Sequence, residues 1–330
     1  MKKRKTKHPG PPCIYCSSVE PRLGREHVIP QGLGMFEQNW TLPEVCDACN
    51  GRFGRELDFH LTRDSLEAYL RLDLGLKPAS AASKLRDKRI KGTLWATGPL
   101  HGSRVRIGPT HDGDDLIPVP VPQVGFRRPG EEWIFLTEKE LSREAVASAS
   151  AGSQVEVRVI AEAGGLERLC AQLAALGFSF DATEQHLDIG IPEERVQVAL
   201  DFLVDKTILR AASKIAFNYA AKVLGAWVVR RSEFDRIREF IKTGAETETL
   251  VSARQGSPLV GPEAGRSRTH SCGIRWVHEQ QSLVGLVCLF NEVTYRVPMF
   301  TNNTEEWQDL GVQHIFDPIS RKITLVEMEP

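Results

Sequence analysis

Two Cys-x-x-Cys pairs, Cys13–Cys16 and Cys46–Cys49, constrain what this chain can fold into more than any other feature. Thiolates two residues apart reach one ion from a tight turn, and two such turns complete a tetrahedral four-sulfur site. Soft sulfur favours zinc, with iron the lesser option. A redox Cys-x-x-Cys needs one pair and leaves the second unexplained. The expectation is structural Zn²⁺ on Cys13, Cys16, Cys46 and Cys49. Cys170, Cys272 and Cys288 are scattered and read as small buried hydrophobes. Seven cysteines, an odd number, with no export signal ahead of them point to reduced thiols and a cytoplasmic setting.

The knuckles are 29 residues apart, Ser17 to Val45, longer than a simple zinc ribbon needs. That insert holds His27. A fifth ligand would overfill a four-sulfur site, so His27 is free for other work. Glu26 precedes it, and Asn50 directly follows Cys49, where the second knuckle is expected to lead into a helix. Neighbouring side chains of a regular strand point to opposite faces, so Glu26 and His27 serve one site only at a strand end or turn. Pro30 and the glycines after it make such an end plausible. A carboxylate and an amide oxygen are hard ligands suited to Mg²⁺ or Mn²⁺. A neutral histidine beside such an ion is a good general base toward water. The set matches metal-assisted phosphodiester hydrolysis.

In order, Cys13-x-x-Cys16, Glu26-His27-Val28-Ile29-Pro30, Asn39 and Cys46-x-x-Cys49-Asn50 resemble the zinc-knuckle branch of the HNH (ββα-metal) endonucleases. The resemblance covers about residues 10–76 and implies a small zinc-stapled ββα-metal domain. It implies His27 as general base, Glu26 and Asn50 as ligands of a catalytic Mg²⁺ or Mn²⁺, and Asn39 as the residue fixing the loop that aims the base. It further implies a nucleic-acid partner, DNA foremost, and a setting in host defence or mobile-element biology. The chain departs from the pattern at Glu26, where Asp is common, and in "QGLGMF", where many relatives carry a Gly-Gly pair. The alternatives are a non-catalytic zinc module that binds nucleic acid or protein, and a different metal-dependent hydrolase built on the same three residues.

Three other groups near the insert invite a role. His60 is ten residues beyond Asn50, about 15 Å along an unbroken helix and roughly 80° round it, so it reads as a structural or surface residue. Asp58 reads the same way, with a part in holding the domain together as the alternative. Arg52, Arg55 and Arg63 suit phosphate contacts, against the equal expectation of a solvated helix face.

Formal net charge is −1, so nucleic acid must be met by a local patch instead of an overall basic field. No apolar run is long enough for a transmembrane helix. Residues 1–9 read as a basic tail, solvated or touching phosphates. After the domain at 10–76, residues 77–150 read as a linker followed by short strands. The prolines of "IPVPVP" demote that piece to an edge or connector. Residues 151–330 read as an α+β domain with antiparallel strands, for recognition or regulation, with a protein partner or self-association through it allowed. A long helical tract is expected from near Pro192 to Gly225, with a break near Asp205. Lys206, Arg210, Lys214, Asn218 and Lys222 recur along it every four residues. Steps of four drift by about 40° each, so a solvated amphipathic helix is preferred over a phosphate-binding face. Residues 252–270, rich in Gly, Pro and Ser, read as a long loop.

Overall fold

The protein is described from a computed structural model, which covers residues 11–19, 24–38, 40–86, 88–95, 100–152, 154–162, 164–178, 197–245, 251–256, 268–301 and 305–326. The basic tail and Asn39 lie outside the described residues. The class is α+β, with antiparallel sheets throughout. The chain divides into two compact units: residues 1–77 with 203–330, and residues 78–202. The boundary expected at 150 therefore falls elsewhere, because a strand at the end of the second unit pairs back onto that unit's first strand.

The first unit begins with a two-residue ladder, β1 (Glu26–His27) against β2 (Thr41–Leu42). Helix α1 (Asp47–Phe53) follows, capped by the Cys46 sulfur, which accepts from the Cys49 N–H. It runs into a π-helical turn, Gly54–Asp58, closed by the Phe59 N–H donating to the Gly54 carbonyl. Helices α2 (Phe59–Arg63) and α3 (Leu66–Asp73) complete the segment. The helical run breaks at Asp64, and Ser65 caps α3 by accepting from the Ala68 N–H.

The second unit holds β3 (Ile90–Trp95), β4 (Arg104–Pro109), β5 (Leu116–Pro120), β6 (Gln123–Arg127), β7 (Ile134–Thr137), α4 (Arg143–Ala149), β8 (Glu156–Ile160), α5 (Gly165–Ala175) and β9 (Gln197–Phe202). Its sheets run β5-β4-β3-β9 and β7-β6-β8. The proline-laced β5 takes an edge, where a missing N–H costs no ladder bond. Val124 and Phe126 of β6 pack with Leu169 and Leu173 of α5 in a core of this unit's own. The helix expected from Pro192 is corrected at β9: "QVALDF" alternates half-buried and exposed positions and pairs along the whole of β3.

The chain then returns to the first unit through α6 (Lys206–Leu224), capped by Asp205, and α7 (Asp235–Thr243). Strands β10 (Ser252–Gln255), β11 (His270–Val277), β12 (Ser282–Leu289), β13 (Val293–Thr301), β14 (Gly311–Phe316) and β15 (Ile323–Val326) form one sheet in the order β10-β13-β12-β11-β14-β15. The start of the expected long loop is thus β10, paired with β13; its residues 257–267 lie outside the described residues.

Helix α6 is the axis of this unit. One side packs on β11, β12 and β13, the other on β2, the π turn and α2. Every residue from Ala211 to Ala221 is buried. The expectation of a solvated helix is therefore wrong for its middle: Lys206 and Lys222 are exposed, whereas Lys214 and Asn218 are fully buried. A helix with a layer on each side has no solvated stripe at its centre.

Candidate functional site

The four knuckle sulfurs lie within 4.8 Å of one another. A tetrahedron with Zn–S bonds of about 2.3 Å has edges of about 3.8 Å, so the cluster fits a structural zinc. Backbone N–H groups of Tyr15 and Cys46 donate to the Cys13 sulfur, each at 3.4 Å. The Cys49 thiol, then the Cys46 and Tyr15 amides, draw the Cys13 thiol down to about 4 against the opposing effect of burial. A sulfur so disposed is ready to ligate as thiolate. Cys16 is exposed while the other three are buried. The knuckle is tied inward by Tyr15, whose ring lies 4.6 Å from that of Phe53 and 5.1 Å from that of Phe217 on α6.

Glu26, His27 and Asn50 all line one cleft of about 320 Å³, together with Gln31, Gly54, Asp58, Thr62 and Arg63. The strand-end condition is met, because β1 is only two residues long. His27 is half-buried, and its Nε2 lies 2.9 Å from the Gln31 side-chain nitrogen. The Gln31 side-chain amide thus holds one edge of the His27 ring toward the cleft that both line. Arg63 lines the cleft; Arg52, Arg55 and His60 do not. Arg52 instead lies over the Phe53 ring at 5.0 Å, and Arg55 is exposed.

Glu26 is 2 % exposed. Its Oε1 accepts from Lys214 Nζ at 2.5 Å and from Asn218 Nδ2 at 3.0 Å. Asn218 also donates to the His27 carbonyl and accepts from the Tyr15 hydroxyl. Lys214 Nζ makes a second bond, at 2.7 Å, to Asp58 Oδ2. Burial would push the Lys214 ammonium down, but the charges of Asp58 and Glu26 outweigh it and hold it above the ordinary lysine value. Burial pushes the Glu26 carboxyl up, against the pull of Lys214. With two carboxyl groups on one ammonium, we read the pair as ionised.

Sequence reasoning missed Lys214 and Asn218 as site residues and undervalued Asp58. Its signal lay in the spacing Asn50, Gly54, Asp58, Thr62. In an α-helix eight residues leave Asp58 about 80° from Asn50. A π turn, at roughly 4.4 residues per turn, absorbs the extra residue and returns Asp58 to the face of Asn50. Asp58 Oδ1 is buried and accepts no hydrogen bond. Two carboxylates, one of them with an unpartnered buried oxygen, and an amide on one cleft are a donor set that fits a small hard cation.

Strand β1 and helix α1 thus both contribute to this cleft, and the four-cysteine cluster belongs to the same segment. Residues 13–66 match the HNH endonuclease family. The match suggests a function of the nuclease type and implies a nucleic-acid partner. No curated protein and no solved structure is similar enough to the whole chain to count as a match. Among the described residues, no helix is long and apolar enough to cross a membrane.

Proposed function

We propose that the protein is a metal-dependent endonuclease that hydrolyses phosphodiester bonds of DNA, with His27 as general base. The observation that carries this reading is the convergence of Glu26, His27 and Asn50 on one cleft. Glu26 and Asn50 would hold the cation. A bound Mg²⁺ or Mn²⁺ supplies charge to polarise the phosphate and to stabilise the departing oxygen. His27 Nε2, once released by Gln31, takes the proton of the attacking water. Arg63, at the cleft edge, meets a non-bridging phosphate oxygen. Cys13 and Cys16 with Cys46 and Cys49 would hold a zinc that ties the first knuckle to the start of α1, apart from the chemistry.

The experiment is cleavage of plasmid DNA in Mg²⁺ or Mn²⁺ by wild type and His27→Ala. Loss of a general base costs about 10²–10⁴ in rate. Equal cleavage by both proteins, or none by the wild type across single- and double-stranded DNA and RNA, would overturn the assignment.

A further inference from the structure

The Lys214 ammonium divides each of its two carboxylate partners. It bonds Oε1 of Glu26 and Oδ2 of Asp58, one oxygen from each. Asn218 adds its bond to the same Oε1, so Oε2 of Glu26 stands outside that pairing. The other oxygen of Asp58, Oδ1, is buried and accepts nothing. A buried carboxylate oxygen without a donor costs free energy that a protein seldom carries without a use.

The backbone supplies a second, independent line. The π turn at Gly54–Asp58 brings Asp58 onto the face of Asn50, over the cleft that both line. An uninterrupted α-helix would carry it away from that face. π turns cost helix geometry and recur at functional sites. Here the turn delivers a carboxylate to the cleft that already contains Glu26, His27 and Asn50.

We infer that Asp58 is a third protein ligand of the catalytic cation, with Lys214 as the positioning residue that holds Asp58 and Glu26 side by side. The inference rests on the metal-dependent reading of the cleft. Both carboxylates bond one nitrogen, so their bonded oxygens lie no more than about 5 Å apart, which keeps the two carboxyl groups side by side. Two carboxylates on one ammonium leave one negative charge within that triad for a divalent cation, while Asn50 contributes a neutral amide and Arg63 lines the same cleft. Lys214 and Asn218 both come from α6, so the site takes its organisation from a helix far outside the family segment.

The test is titration of the full-length, zinc-loaded protein with Mn²⁺, followed by loss of the free-ion electron paramagnetic resonance signal. Asp58→Asn keeps the side-chain volume and an oxygen for Lys214, and should weaken Mn²⁺ binding about tenfold or more. A second measurement needs no destabilised variant. Wild-type protein labelled with ¹³C at the aspartate carboxyl should show electron–nuclear coupling between Mn²⁺ and that carbon, absent in Asp58→Asn. Mn²⁺ bound by wild type without such coupling, or bound equally well by Asp58→Asn, overturns the role of Asp58 and leaves the nuclease reading intact. Failure of the wild type to bind Mn²⁺ at all overturns both.

Discussion

Lys214 Nζ lies 2.5 Å from Glu26 Oε1, across 188 residues of sequence, and neither side chain is more than 3 % exposed. The acid beside the proposed base is thus set by a helix that no motif in residues 13–66 contains. Taking either charge out of water is expensive, and the partner charge offsets it, helped by Asn218 at Glu26 and by Asp58 at Lys214. Lys214→Met should lower the unfolding free energy by about 3–5 kcal/mol, because Glu26 is left as an uncompensated buried charge. Glu26→Gln with Lys214→Met should recover part of that loss. Urea denaturation of the four-member mutant cycle measures the coupling. A coupling energy near zero would show that the pair does not hold the two segments together.

The same contacts bear on whether the family segment stands alone. Its insert is fastened to the rest of the first unit at several points. The His270 ring donates to the Leu33 carbonyl, Arg321 to the Met35 carbonyl, and the Glu37 N–H to the Arg321 carbonyl. Phe53, Leu57 and Leu61 are fully buried in a unit that includes α6. Residues 1–77 expressed alone with zinc should show no cooperative thermal transition by circular dichroism. A sharp, reversible transition in that fragment would show an autonomous domain instead.

Much of this was legible in the chain because it is encoded locally. Cysteine spacing specifies a staple without reference to anything distant, and the alternating "SCGIRW" and the continuous apolar run "LVGLVCLF" specify strands β11 and β12. The partnership of α6 is not local. Lys206, Arg210, Lys214, Asn218 and Lys222 look alike in sequence, yet only the central pair is buried, because only there does the helix have a layer on each side. The π turn was equally hidden. One extra residue in one turn leaves the hydrophobic pattern of Phe53, Leu57 and Leu61 unchanged while it swings Asp58 into the cleft. The strand β9 escaped for a third reason: its six residues alternate, but they stand beside a strong helical pattern that invited extension backwards.

Zinc should be necessary for the site's geometry while remaining apart from its chemistry. Cys46 serves twice, as a member of the sulfur cluster and as the cap that accepts the Cys49 N–H at the start of α1. Cys46→Ser keeps a capping oxygen and removes a sulfur ligand, which separates the two roles. The variant should bind zinc far more weakly and melt at lower temperature than the wild type. Elemental analysis of the purified wild type should find one zinc per chain. Wild type free of zinc yet equally stable would remove the structural role.

Stability toward acid should be governed in part by His270, whose ring is completely buried between the insert and the sheet. Its Nε2 donates to the Leu33 carbonyl and its Nδ1 accepts from the Phe290 N–H, so the neutral ring satisfies both neighbours. Burial lowers its pKa from 6.5 to about 4. The folded state therefore binds the proton less readily than the unfolded chain. Stability is fully present above pH 6.5, falls as the unfolded chain gains the proton, and is lost through the window down to about pH 4. A shift of that size corresponds to about 3 kcal/mol. His270→Gln keeps hydrogen-bonding capacity without titrating in this range. It should be less stable than wild type at pH 7.5 through imperfect packing, yet show a flatter decline between pH 6.5 and 4. Denaturant unfolding at half-unit pH steps reads the difference directly, and parallel curves for the two proteins would show that His270 is not the group being titrated.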